Sequence, residues 1–98
     1  MVIAYFKMKL NKGAREDFIE DLRAIDAFSK ARTEDGNISY EYSFSVEDAD
    51  TIIGVERWAS LPDFQAHLAQ PYVQGIGDIQ KKYDAVMEPY LYEGESCE

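Results

Sequence analysis

Glu56 and Trp58 occupy alternate positions near the end of an apolar run, and the chain's single histidine, His67, comes shortly after them. In an extended strand, alternate positions share a face, so the carboxylate and the indole point the same way. The stretch between them and His67 begins Ser60-Leu61-Pro62-Asp63, a helix-start pattern: a hydroxyl cap, a proline tolerated in the first turn, and an acid able to close a capping box. His67 then shares a helical stripe with Phe64 and Leu68 and faces back toward the sheet, within range of Glu56. Imidazole titrates near neutral pH, so a Glu56–His67 pair could hold or pass a proton. The same pair could also be a buried structural contact, with Trp58 as core filling. Gly36 and Tyr40 lie upstream and complete the candidate group.

Other chemistries lack their residues. Gly75-Ile76-Gly77 has no third glycine and comes after a helix pattern, so it is no phosphate loop. One histidine and one cysteine cannot build a multi-histidine or cysteine-cluster metal site. Glu47, Asp48 and Asp50 crowd a turn without calcium-loop spacing. Cys97 sits among acids in Glu93-Gly94-Glu95-Ser96-Cys97-Glu98, which raise a thiol's pKa and argue against a catalytic thiolate. The 98 residues carry 10 basic and 19 acidic side chains, a net charge of −9. Such a field repels phosphate backbones and anionic lipid, so nucleic acid and membranes are not expected partners. No apolar run reaches membrane-spanning length and the start lacks a secretion-signal pattern, so a cytoplasmic location is expected.

The elements that must position these residues emerge from periodicity. Val2, Ala4, Phe6, Met8 and Leu10 alternate with polar or second-face residues, a strand. Arg15-Glu16-Asp17 opens a helix whose stripe is Phe18, Leu22, Ile25 and Ser29, widened by Ala14, Ile19 and Phe28; Lys30 and Arg32 lie toward its C-terminus and Gly36 at its exit. Ile38, Tyr40, Tyr42, Phe44 and Val46 alternate with Ser39, Glu41, Ser43 and Ser45, a strand with one aromatic face. A short turn leads to Thr51–Trp58, so the two strands form an antiparallel hairpin. Beyond the Ser60 helix, Pro71 and Gly75-Ile76-Gly77 are expected to interrupt or bend the next stretch of chain, with Tyr72, Ile76, Ile79 and Tyr83 resuming helical spacing. Residues 85–92 alternate as a last strand, with Pro89 marking an edge or bulge. This order predicts an α+β, ferredoxin-like βαββαβ domain over residues 1–93: a four-stranded antiparallel sheet with helices on one face, then a flexible acidic tail, 94–98. The second sheet face, with Ile3, Tyr5 and Ile53, is too apolar for water, and a homodimer is expected to cover it.

Three segments in order, Glu34-Asp35-Gly36-Asn37-Ile38-Ser39-Tyr40, Val55-Glu56-Arg57-Trp58-Ala59-Ser60 and Phe64-Gln65-Ala66-His67, together resemble the antibiotic biosynthesis monooxygenase domain family, and the likeness extends over essentially the whole chain. The resemblance implies a dimeric ferredoxin-like α/β barrel. It also implies a monooxygenase that oxidises a small electron-rich aromatic or quinol with O₂ and without flavin, metal or haem, the substrate itself being the reductant. On that reading His67, Trp58 and Glu56 are the catalytic candidates, and Tyr40, Tyr42, Phe64 and Tyr72 bind the substrate. Haem-degrading relatives need a histidine late in the second helix, where this chain has Gln74-Gly75-Ile76-Gly77-Asp78. The aromatic-polyketide oxygenases of the family carry asparagine and tyrosine where this chain has Gly54 and Phe64. A non-catalytic ligand-binding or stress-response dimer, or an isomerase-type relative, are the alternatives.

Overall fold

The computed structural model describes residues 1–97; the last residue of the expected tail, Glu98, lies outside the described residues. The chain runs β1 (Val2–Lys9), α1 (Arg15–Ala24), α2 (Ala27–Arg32), β2 (Asn37–Phe44), β3 (Thr51–Trp58), α3 (Leu61–Leu68), α4 (Pro71–Lys82) and β4 (Val86–Glu93). The strands form one antiparallel sheet in the order β2-β3-β1-β4, the ferredoxin-like arrangement that the periodicity predicts.

Side-chain alternation separates the two sheet faces. Val2, Ala4, Phe6, Met8 and then Leu10 are buried beneath the helices. Phe18 and Leu22 of α1, Ala27 of α2 and Ile76 of α4 close over Phe6, Met8 and Ile52. Each large apolar side chain so buried contributes on the order of 1.5–3 kcal/mol, which is what holds the helical layer to the sheet. Register places three rows of residues across the helix-facing side: Tyr40–Glu56–Ala4–Leu91, then Tyr42–Gly54–Phe6–Pro89, then Phe44–Ile52–Met8–Met87.

Four local expectations change. The first helical region is two helices, because Asp26 adopts a left-handed conformation (φ 55°) between them. The break rotates the inward face, so α2 buries Ala27 and Ala31 while Ser29 is exposed. Pro71 does interrupt, as the first residue of α4, but α4 continues through Gly75 and Gly77. Each glycine costs a helix about 1 kcal/mol relative to alanine, and the packing of the stripe around Ile76 offsets that. In β2 a register irregularity between Asn37 and Ser39 turns Ile38 outward, and Val46 lies past the strand's end, 97% exposed. Leu68, expected on the inward stripe of α3, is 54% exposed. Pro89 sits on the edge strand β4 without a bulge, where its missing N–H costs no ladder bond.

The second sheet face carries half-buried Ile3, Tyr5, Ile53 and Val55, with Tyr90 and Tyr92 exposed beside them. Tyr5, Tyr90 and Tyr92 form a ladder of rings at 5.7 and 6.2 Å centroid spacing. Among the described residues no helix is long and apolar enough to cross a membrane.

Candidate functional site

Ser60 caps α3, its side chain accepting from the Asp63 N–H (3.3 Å) and donating to the Asp63 carboxylate (2.9 Å). That cap fixes where the helix starts and therefore which residue faces the sheet about two turns later, His67. Gly36 is the counterpart on the other side. It takes a left-handed φ of 79°, its carbonyl accepts from the Ala59 N–H at 2.8 Å, and an added Cβ would lie 2.2 Å from Asp63 Oδ2. Only glycine lets the turn after α2 seat against the start of α3. This close approach brings Glu34 alongside His67.

His67 is buried between two carboxylates. Its Nδ1 lies 2.6 Å from Glu34 Oε2 and its Nε2 lies 3.5 Å from Glu56 Oε1. This contact requires one proton between Nδ1 and the Glu34 carboxyl. Tyr72 donates its hydroxyl to the same Glu34 oxygen. Trp58 Nε1 donates to Glu56 Oε1 at 3.3 Å, and its indole lies 4.7 Å from the imidazole, tilted by 30°. Tyr40 and Tyr42 stack at 5.3 Å and share a hydrogen bond of 3.0 Å between their hydroxyls.

Burial raises the Glu56 carboxyl above its ordinary value; His67 and the Trp58 N–H oppose the rise, and the nearby Glu34 charge adds to it. Burial likewise raises the phenols of Tyr40 and Tyr42, with neighbouring negative groups adding to it, so both stay neutral donors. Tyr72 is raised by burial and by its bond to Glu34. The group therefore holds few charges and several protons close together. Glu34 and Glu56 approach opposite nitrogens of one ring and cannot converge on a common point. Among the described residues no group of three or more histidine, cysteine or acidic side chains is placed to hold a metal ion.

A cleft of about 460 Å³ opens between this group and the α3–α4 layer. Tyr40, Tyr42, Phe64, Glu56 and His67 line it, together with Ala4, Phe6, Leu68, Val73, Ile76, Met87 and Leu91. Two of the expected site residues, catalytic candidate Trp58 and substrate-binding candidate Tyr72, do not line it. Trp58 is wholly buried (0% exposed) one layer behind, against His67 and Phe64. Tyr72 turns instead toward Glu34. Sequence reasoning gave Glu34 no site role, although it heads the first segment of the family resemblance; the available signal was that a buried imidazole needs a partner at each nitrogen. It also missed the apolar wall, because strand and helix periodicity assigns Ala4, Phe6 and Ile76 to the core.

The family model described as antibiotic biosynthesis monooxygenase matches residues 1–77. A search of curated protein sequences finds no match. Among solved structures, a protein from Deinococcus radiodurans assigned to antibiotic biosynthesis monooxygenases superposes with a TM-score of 0.86 at 23% identity, over 99% of this chain and 95% of that one. A Nitrosomonas europaea protein of the same assignment gives 0.84 at 18% identity, over 96% and 98%. SnoaB of Streptomyces nogalater, a cofactor-independent oxygenase, gives 0.76 at 15% identity, over 97% and 94%. At these identities the likeness speaks to the fold.

Proposed function

Because this chain belongs to the antibiotic biosynthesis monooxygenase family, we propose that its cleft oxidises a small electron-rich phenol or quinol with O₂, without flavin, metal or haem. The observation that carries this reading is the apolar cleft bordered at one end by Glu56 and His67, with the imidazole oriented from behind by Glu34. The phenol gives its hydroxyl proton to the Glu56–His67 pair. The anion reduces O₂ and forms a carbon–oxygen bond, giving a ring hydroperoxide. This loses water as the ring carbon gives up its hydrogen, leaving one oxygen as a carbonyl. A phenol plus O₂ thus becomes a quinone plus water, and a quinol becomes a hydroxyquinone plus water. The substrate supplies all the electrons, and the borrowed proton returns to the departing oxygen.

Glu56 and His67 are the catalytic residues of this scheme. Glu34 holds the proton on Nδ1 and leaves Nε2 toward the cleft, and Trp58 fixes the Glu56 carboxylate; both are positioning residues. The apolar walls keep water from the anion and strengthen each polar contact inside. Oxygen uptake by metal-stripped protein with a panel of phenols and quinols tests the proposal. It is supported by one ¹⁸O from ¹⁸O₂ in the product, no accumulated peroxide, and loss of the rate in His67→Ala. Uptake that ignores His67→Ala, or that yields peroxide in proportion to oxygen, overturns it.

The second sheet face is, in the same proposal, covered by a second copy of the chain, with Tyr5, Ile53, Val55 and Tyr90 at its centre. A binding-only version of this dimer is the second reading. What favours it is that Glu56, His67, Glu34 and Trp58 satisfy one another. Tight binding of aromatics with no oxygen uptake would select it.

A further inference from the structure

The cleft is polar at one end only, and its floor explains the asymmetry. In the first row across the sheet, Ala4 separates Glu56 from Leu91, and its single methyl leaves a trough from the acid–base pair to the edge strand. In the next row Phe6 stands between Gly54 and Pro89. A Cβ added at Gly54 would lie 2.0 Å from Phe6 Cζ and 2.3 Å from Cε1, so the ring lies over the glycine, toward β3 and away from β4. Tyr42 holds it there edge-on at 5.2 Å and 84°. With Phe6 drawn aside, the space above Pro89 stays open. Leu68, Met87 and Leu91 line the cleft while being 54%, 38% and 50% exposed, which places its mouth among them.

A single aromatic ring does not occupy such a volume, since pockets of about 300–1,000 Å³ take drug-sized ligands. The polar end can satisfy one hydroxyl. The rest of the trough offers a substrate mostly apolar surface, with Gln80, Tyr5 and Tyr90 as further polar residues along its lining. We propose that the substrate is an amphipathic phenol or quinol whose hydroxyl meets Glu56 and His67 and whose apolar substituent runs over Ala4 to the mouth at Leu68, Met87 and Leu91, with Phe6 seated on Gly54 as the residue that keeps this channel open. This deepens the oxygenase reading and rests on it for the placement of the hydroxyl.

Calorimetric titration with para-alkylphenols from methyl to heptyl, in anaerobic buffer, reads the binding without turnover. Affinity rises roughly fourfold per methylene while the chain is being buried, then levels off once it passes the mouth. Ala4→Leu fills the trough and flattens that dependence while methylphenol still binds. Gly54→Ala pushes Phe6 toward Pro89 and weakens the long-chain members most, and adding Phe6→Leu restores them. Equal affinities along the wild-type series, an unchanged slope in Ala4→Leu, or no binding of any phenol overturns the proposal. Chain-dependent binding without oxygen uptake would remove the oxygenase reading and leave the channel; oxygen uptake indifferent to chain length would do the reverse.

Discussion

At the scale of residues, the site turns on how one imidazole is shared between two acids. Glu34 bonds Nδ1 at 2.6 Å and Glu56 approaches Nε2 at 3.5 Å, so the two acids do different work. Replacing His67 by alanine should lower the oxygenation rate by roughly 10²–10⁴-fold, the range of general acid–base groups. Glu34→Gln should leave the pair in place but let the ring choose its tautomer, lowering the rate with little change in ligand affinity; single-turnover rates beside calorimetry separate the two. Glu56 gives a pH prediction. Burial raises its carboxyl, so the folded state binds this proton more tightly than the unfolded chain. Its contribution to stability is therefore full below the ordinary value of 4.5 and is lost as pH rises through the raised one. Urea midpoints measured across that window should fall in the wild type relative to Glu56→Gln. In the proposed mechanism activity runs the opposite way, because Glu56 must be ionised to take the proton: the rate should rise through the same window, and Glu56→Gln should remove that limb.

At the scale of elements, α3 and the turn after α2 act as a clamp that sets the distance between Glu34 and His67. The Ser60 hydroxyl caps α3, and Ser60→Ala should cost about 1 kcal/mol, read from denaturant unfolding. Because α3 carries His67, the same variant should slow turnover more than its stability loss explains. Gly36→Ala tests the other jaw. Its φ of 79° and the 2.2 Å approach to Asp63 make a side chain both strained and crowded, and a loss of roughly 1–3 kcal/mol is expected. The break at Asp26 and the continuity of α4 through Gly75 and Gly77 show local preference yielding to packing. In both places what decides is which residues reach the core, Ala27 and Ala31 in one, Ile76 in the other.

At the scale of the whole molecule, a sheet covered by helices on one side leaves Ile3, Tyr5, Ile53, Val55, Tyr90 and Tyr92 on the other. A face this apolar on a chain with a net charge of −9 is the reason a second copy is proposed to cover it. Light scattering should give twice the chain mass for the wild type. Tyr5→Glu, which places charge at the centre of the face, should shift the protein to monomer and lower its melting temperature. A wild-type monomer would set this expectation aside.

What the sequence determined by itself is the order of elements and the faces they present, because periods of two and of three to four residues are local properties of the chain. The alternation from Val2 to Leu10, the aromatic face holding Tyr40 and Tyr42, and the Ser60 cap that aims His67 at the sheet are all legible that way. So is the proximity of Glu56 to His67, which joins neighbouring elements through a short connection. The tertiary structure alone decided what depends on long-range approach. Glu34 reaches His67 because Gly36 can seat against Asp63. Trp58 lies behind the cleft instead of in its wall, because α3 folds over it. The trough beneath α4 exists because pairing of two strands far apart in the chain sets Ala4 beside Glu56 and Phe6 over Gly54, where the ring can lean aside. Periodicity says which residues face inward; only packing says which of those inward faces fail to meet, and the space they leave is the candidate site.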